Sequence, residues 1–136
     1  MKLFFSLLIA FYTLSAQTFS KENWAKNYEQ ALTLAEKEHK DILLIVGLPG
    51  CKWCGRLIHF TVTSDTIEAY TNKHLIILYT MYGDKSLPKN LNTKIFPTSY
   101  IISKNGKRLR QLQGYQLADD YILFLKQGIH KNVPTN

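Results

Sequence analysis

The sequence predicts an α/β domain: a mixed four-stranded β-sheet with helices on both faces. Two continuous apolar runs, 42–48 and 75–82, read as strands buried on both sides, because a half-exposed strand would alternate apolar and polar residues. Helical segments separate them, and parallel neighbours need such a crossover. Near the C-terminus Asn105-Gly106 joins two further strands as a hairpin, which adds antiparallel pairing.

The elements follow in order. Ser20 can cap a helix over 21–38, where Trp24, Tyr28, Ala31, Leu32 and Ala35 recur at helical spacing. Lys37, His39 and Lys40 suit its C-terminal end. The first strand spans 42–48, and Pro49-Gly50 turns the chain. A helix over 51–61 directs Cys54, Leu57 and Ile58 inward. The β-branched run Thr61-Val62-Thr63 weakens that helix, and Ser64-Asp65 with Glu68 opens a fresh turn, so a kinked or broken helix reaches about Asn72. After the second strand, 83–94 is loop with at most a short helix. The hairpin strands span 98–102 and 107–113; Leu109 and Leu112 stand three apart, which asks for a bulge or an edge position. A last helix covers 118–127, with Asp119 and Asp120 in its first turn and Gly128 past its end.

A chain of 136 residues with 46% hydrophobic and 20% charged residues suits one domain with a real core. Two cysteines are too few for a disulfide-stapled scaffold. The net charge of +7 is dispersed, and its one cluster, Lys104, Lys107, Arg108 and Arg110, surrounds the hairpin turn. That pattern reads as a solvated turn and argues against a nucleic-acid face. Dispersed basicity says little about partners, with docking to an acidic partner protein a nearer alternative than nucleic acid. At the N-terminus Lys2 precedes an apolar stretch over 3–14 and the small residues Ser15-Ala16. This is the order of a secretory signal, expected over 1–16, leaving a single domain over 17–136; an uncleaved anchor is the alternative. Export, expected here to the periplasm, would place the domain in an oxidising compartment.

The chemistry concentrates in Cys51-Lys52-Trp53-Cys54, at the exit of the first strand and the opening of a helix. A helix N-terminus favours the thiolate, which is the attacking species, so this placement points to thiol–disulfide exchange with Cys51 as nucleophile and Cys54 resolving. Lys52 reads as a solvated lysine. Rival readings remain. Cys51, Cys54 and His59, with His39, His74 or His130, could ligate a metal, although zinc knuckles normally come in pairs. A structural disulfide gains little from so small a loop. A binding module with a vestigial pair is a third reading, because fold alone does not establish activity. A cysteine hydrolase or transferase lacks a patterned base.

From about 20 to 128 the chain resembles the thioredoxin superfamily. The matching features are the strand followed by Cys51-Lys52-Trp53-Cys54, then Phe96-Pro97-Thr98 entering the third strand, then the hairpin and final helix. Leu48-Pro49-Gly50-Cys51 and Gln113-Gly114-Tyr115 are similar to exported thioredoxin-related proteins of the SoxW type. The resemblance implies a thioredoxin fold and a cis proline at Pro97 lying against the active-site disulfide. Backbone beside that proline would pair with an extended substrate segment, and Lys52, Trp53, Phe96 and Pro97 would form the substrate-binding rim. It implies no cofactor beyond the Cys51–Cys54 disulfide and no metal. It also implies a monomer acting on dithiol- or disulfide-containing exported proteins, with no nucleic-acid partner. The reductase direction, with a membrane electron-transporting disulfide reductase as electron source, comes from the same likeness; an oxidase would use the same site. One position departs from the family: the buried acid expected six residues before the first cysteine is Ile45.

Overall fold

A computed structural model describes residues 24–130; the expected signal over 1–16 and the Ser20 cap lie outside the described residues. The chain runs through α1 (Tyr28–Glu38), β1 (Asp41–Gly47), α2 (Lys52–Arg56), a π-helical segment (Leu57–Val62), α3 (Asp65–His74) and β2 (Leu75–Met81). A single 3-10 turn (Lys89–Leu91) leads on to β3 (Thr98–Ile102), β4 (Arg108–Gln113) and α4 (Ala118–His130). The four strands form one sheet in the order β2-β1-β3-β4. β1 is parallel to β2 and antiparallel to β3, and β3 is antiparallel to β4, so the sheet is mixed as expected.

β1 is central, and Ile42 to Val46 are buried without alternation because both faces are covered. On one face Ile42, Leu44 and Val46 pack with Tyr28, Ala31 and Ala35 of α1. On the other, Leu43 and Ile45 pack with Leu57, Ile58 and Val62 of the π segment, Ile67 of α3, and Tyr121 and Leu125 of α4. Burying each of these large aliphatic side chains contributes about 1.5–3 kcal/mol. The sheet is thereby a rigid platform whose β1 exit carries the cysteine pair.

Four expectations are corrected or sharpened. Helix α1 begins at Tyr28, because Asn27 is extended and its side chain accepts the Gln30 N–H at 2.8 Å. Ahead of it Ala25 makes a parallel bridge to Leu78 at the sheet edge, and Trp24 packs with the opposite core from Tyr28. The predicted kink is a π turn, in which the Thr63 N–H reaches back five residues to the Ile58 carbonyl at 3.2 Å. In β4, Ile101 pairs with Arg110 and Ile102 with Arg108, which leaves Leu109 as the extra, bulged residue. The bulge turns Leu109 to the same core as Leu112. Finally, α4 continues through Gly128 instead of ending before it.

Candidate active site

At the end of β1 the chain turns through Pro49-Gly50, with Gly50 at φ 75°, a conformation open to glycine at no steric cost. The turn closes when the Cys51 N–H donates to the Leu48 carbonyl at 3.1 Å. Cys51 then N-caps α2, and its Sγ accepts the Cys54 N–H at 3.1 Å. Cys51 and Cys54 form a disulfide, with Cα atoms 5.3 Å apart. The two sulfurs are not equivalent. Cys54 is 1% exposed, whereas Cys51 is only partly buried.

Pro97 comes to the same end by strand register. Val46 pairs with Thr98, so Pro97 stands across from Gly47, where β1 leaves for the cysteines. The Phe96–Pro97 peptide is cis. Threonines pin this loop: buried Thr93 and Thr98 are 3.0 Å apart through their hydroxyls, and the Thr98 hydroxyl donates to the Ile95 carbonyl at 2.5 Å. The Pro97 carbonyl accepts the Gly114 N–H at 2.7 Å. Between these occupied groups, the Phe96 N–H and C=O have no hydrogen-bond partner among the described residues.

Two aromatic pairs frame the site. Trp53, 50% exposed, lies 5.5 Å from the Tyr115 ring, with the Arg56 guanidinium 4.8 Å above the indole. Phe96 meets Tyr82 edge-on at 5.4 Å, and the Tyr82 N–H is tied to the Gly47 carbonyl at 2.7 Å. Cys51, Cys54, Trp53, Phe96 and Pro97 are thus brought to one end of the sheet. Lys52 is exposed and makes no ion pair among the described residues. Sequence reasoning missed Tyr82 and Arg56 as rim residues. The i,i+3 spacing of Trp53 and Arg56 on one helix carried a signal for the second; nothing local flagged the first.

Ile45 is fully buried in the core beneath the π segment, and its parallel-register neighbour is Tyr79, whose phenol burial pushes upward. The histidines are dispersed: His39 ends α1, His59 is exposed on the π segment, and the His74 ring lies tilted against Tyr70 with centroids 4.6 Å apart. Among the described residues, no three His, Cys, Asp or Glu side chains are grouped to hold a metal ion.

A family model described as a thioredoxin-like domain matches residues 28–129. The chain belongs to the thioredoxin-like family. Solved structures agree on the fold. A thioredoxin from Thermus thermophilus superposes with a TM-score of 0.65 at 16% identity, covering 77% of this chain and 85% of that one. A DsbH oxidoreductase gives 0.60 at 18%, covering 85% and 92%. The periplasmic thioredoxin SoxS from Paracoccus pantotrophus gives 0.52 at 20%, covering 69% and 100%. No curated protein matches the chain. A thioredoxin-like domain that carries its Cys-x-x-Cys as a disulfide at a helix start is a thiol–disulfide oxidoreductase in kind.

Proposed function

We propose that this thioredoxin-like protein exchanges disulfides with exported partner proteins, acting as a monomeric reductase in the periplasm. The observation that carries the reading is the asymmetry of the pair, with Cys51 accessible and hydrogen-bonded by the Cys54 N–H while Cys54 is buried. That N–H favours the thiolate of Cys51 over its thiol. In the reduced protein the Cys51 thiolate attacks one sulfur of a partner disulfide, forming a mixed disulfide and releasing the partner's other sulfur as thiolate. Cys54 loses its proton and attacks Cys51 Sγ. The Cys51–Cys54 bond forms, the second partner thiolate leaves, and two electrons have passed to the partner. Run backwards, the same steps oxidise a dithiol.

The free Phe96 N–H and C=O support pairing with an extended partner segment, and Trp53 and Phe96 supply the apolar rim around it. No cofactor enters beyond the disulfide, and a membrane electron-transporting disulfide reductase would restore the dithiol. The Lys2 to Ala16 sequence and the periplasmic SoxS likeness in fold support export.

Replacing Cys54 with serine tests the assignment. The reduced Cys54→Ser variant should accumulate a mixed disulfide with a protein disulfide such as insulin, visible on a non-reducing gel, and Cys51→Ser should not. Trapping by Cys51→Ser alone would reverse the roles. A reduction potential near the thioredoxin value of about −270 mV supports the reductase direction, and one near about −120 mV makes the protein an oxidase.

A further inference from the structure

Between β2 and β3 the chain folds around an open groove of about 620 Å³. Lys85, Lys89 and Lys94 line it, and none of the three pairs with a carboxylate among the described residues. The one carboxylate in the lining, Asp84, is already engaged. It accepts the Thr80 hydroxyl at 2.6 Å and the Ser86 N–H at 2.8 Å, and those bonds hold its carboxyl below the usual range. A further cation flanks the groove, since the Arg108 guanidinium donates to the Asn90 carbonyl in the 3-10 turn at 3.1 Å. The groove therefore presents several uncompensated positive charges and one committed negative charge.

This groove is continuous with the rim of the disulfide site. Tyr82 forms one wall and touches Phe96 edge-on. Thr93, also in the lining, is bonded through its hydroxyl to the Ile95 N–H and to Thr98. A strand paired with the free Phe96 backbone and continuing past Tyr82 would enter the groove that Lys85, Lys89 and Lys94 line. We propose that the groove holds an acidic segment of the partner polypeptide, flanking the disulfide that Cys51 attacks, and so selects partners by charge. The inference rests on the reading that Phe96 pairs with substrate. A polypeptide fits better than a small anion because the groove shares Tyr82 with the rim of the disulfide site and has Tyr82 and Leu87 as apolar lining beside its lysines. Opposite charge along such a path accelerates encounter and sets register, and salt weakens it.

The test uses synthetic disulfide peptides of one core sequence flanked by aspartates, by serines or by lysines. The full mature protein should reduce the aspartate peptide about tenfold faster in kcat/KM than the serine peptide at low ionic strength, within the range electrostatic steering gives. The ratio should collapse toward one in 0.5 M salt and in a Lys85→Gln/Lys89→Gln/Lys94→Gln variant. Equal turnover of all three peptides by the wild type overturns the groove assignment and leaves the exchange activity standing. Should no disulfide be exchanged at all, the activity reading fails, and the groove is judged by anisotropy with labelled aspartate peptide on the Cys51→Ser/Cys54→Ser protein. Binding lost in the triple-lysine variant supports the groove; absent binding overturns it. Single-stranded DNA binding as tightly as the acidic peptide would also overturn it, by making the groove a general polyanion surface.

Discussion

Gly128 lies against Ile101 so closely that a Cβ on the glycine would stand 2.7 Å from Ile101 Cγ1 and 3.1 Å from its Cβ. Helix α4 thereby rests its backbone directly on the Ile101 side chain of β3. Glycine inside a helix costs about 1 kcal/mol relative to alanine, so close packing explains its presence where propensity does not. Ile101 is fully buried and branched at Cβ, with little freedom to turn away.

Gly128→Ala should consequently destabilise the fold. Overpacking of this kind costs about 1–3 kcal/mol, partly offset by the gain of about 1 kcal/mol in helix propensity. A urea titration should show a lower midpoint with an unchanged slope. The Ile101→Ala background removes the Cγ atoms, and there the penalty for Gly128→Ala should shrink. A variant more stable than the wild type would sink the argument.

Trp53 gives a prediction about recognition. Its ring is half exposed and held by Tyr115 and Arg56, so truncation to alanine removes little core. An aromatic anchor at a docking surface is commonly worth about 1–2 kcal/mol on truncation, which corresponds to roughly five- to thirtyfold in kcat/KM. Trp53→Ala should lower turnover of a protein disulfide far more than turnover of a small aromatic disulfide, and Trp53→Phe should recover part of the difference. Equal losses on both substrates would assign Trp53 to packing or to the thiol itself.

Much of this was legible because the strongest sequence signals coincide with the deepest burial. The uninterrupted apolar run in β1 cannot be a half-solvated strand, and the structure covers both its faces. The cysteine spacing, the proline ahead of β3 and the Asn105-Gly106 turn are local, and each stands where expected. The start of α1 is not legible because Trp24 continues the helical spacing, yet Asn27 offers a competing cap and Ala25 bridges to the sheet edge instead. Gly128 misleads for the complementary reason. A glycine near a helix end looks like a stop when its partner, Ile101, is far away in sequence. Tyr82 joins the rim only through the Gly47 carbonyl and the Phe96 ring, contacts that pairing across the sheet creates and periodicity does not register.

Tyr121 and Ser99 supply the pH prediction. Tyr121 is fully buried, and its hydroxyl shares a 2.7 Å hydrogen bond with buried Ser99. Burial pushes the phenol well above the ordinary tyrosine range, with the Ser99 bond acting weakly the other way. An unfolded tyrosine titrates near about 10, so above that pH the native state retains a proton that the unfolded chain gives up. The contribution is fully present below about pH 10 and is lost as pH rises from there toward the folded value. Tyr28, Tyr70, Tyr79 and Tyr100, also raised by burial, act in the same direction. Tyr121→Phe should cost about 1–2 kcal/mol at pH 8, because the Ser99 hydroxyl loses its partner. Above pH 10 its stability should fall less steeply than the wild type, by up to about 1.4 kcal/mol per pH unit, so that the two curves converge. Urea midpoints at pH 8 and pH 11 measure both effects, and parallel curves across that window would show that Tyr121 ionises as freely folded as unfolded.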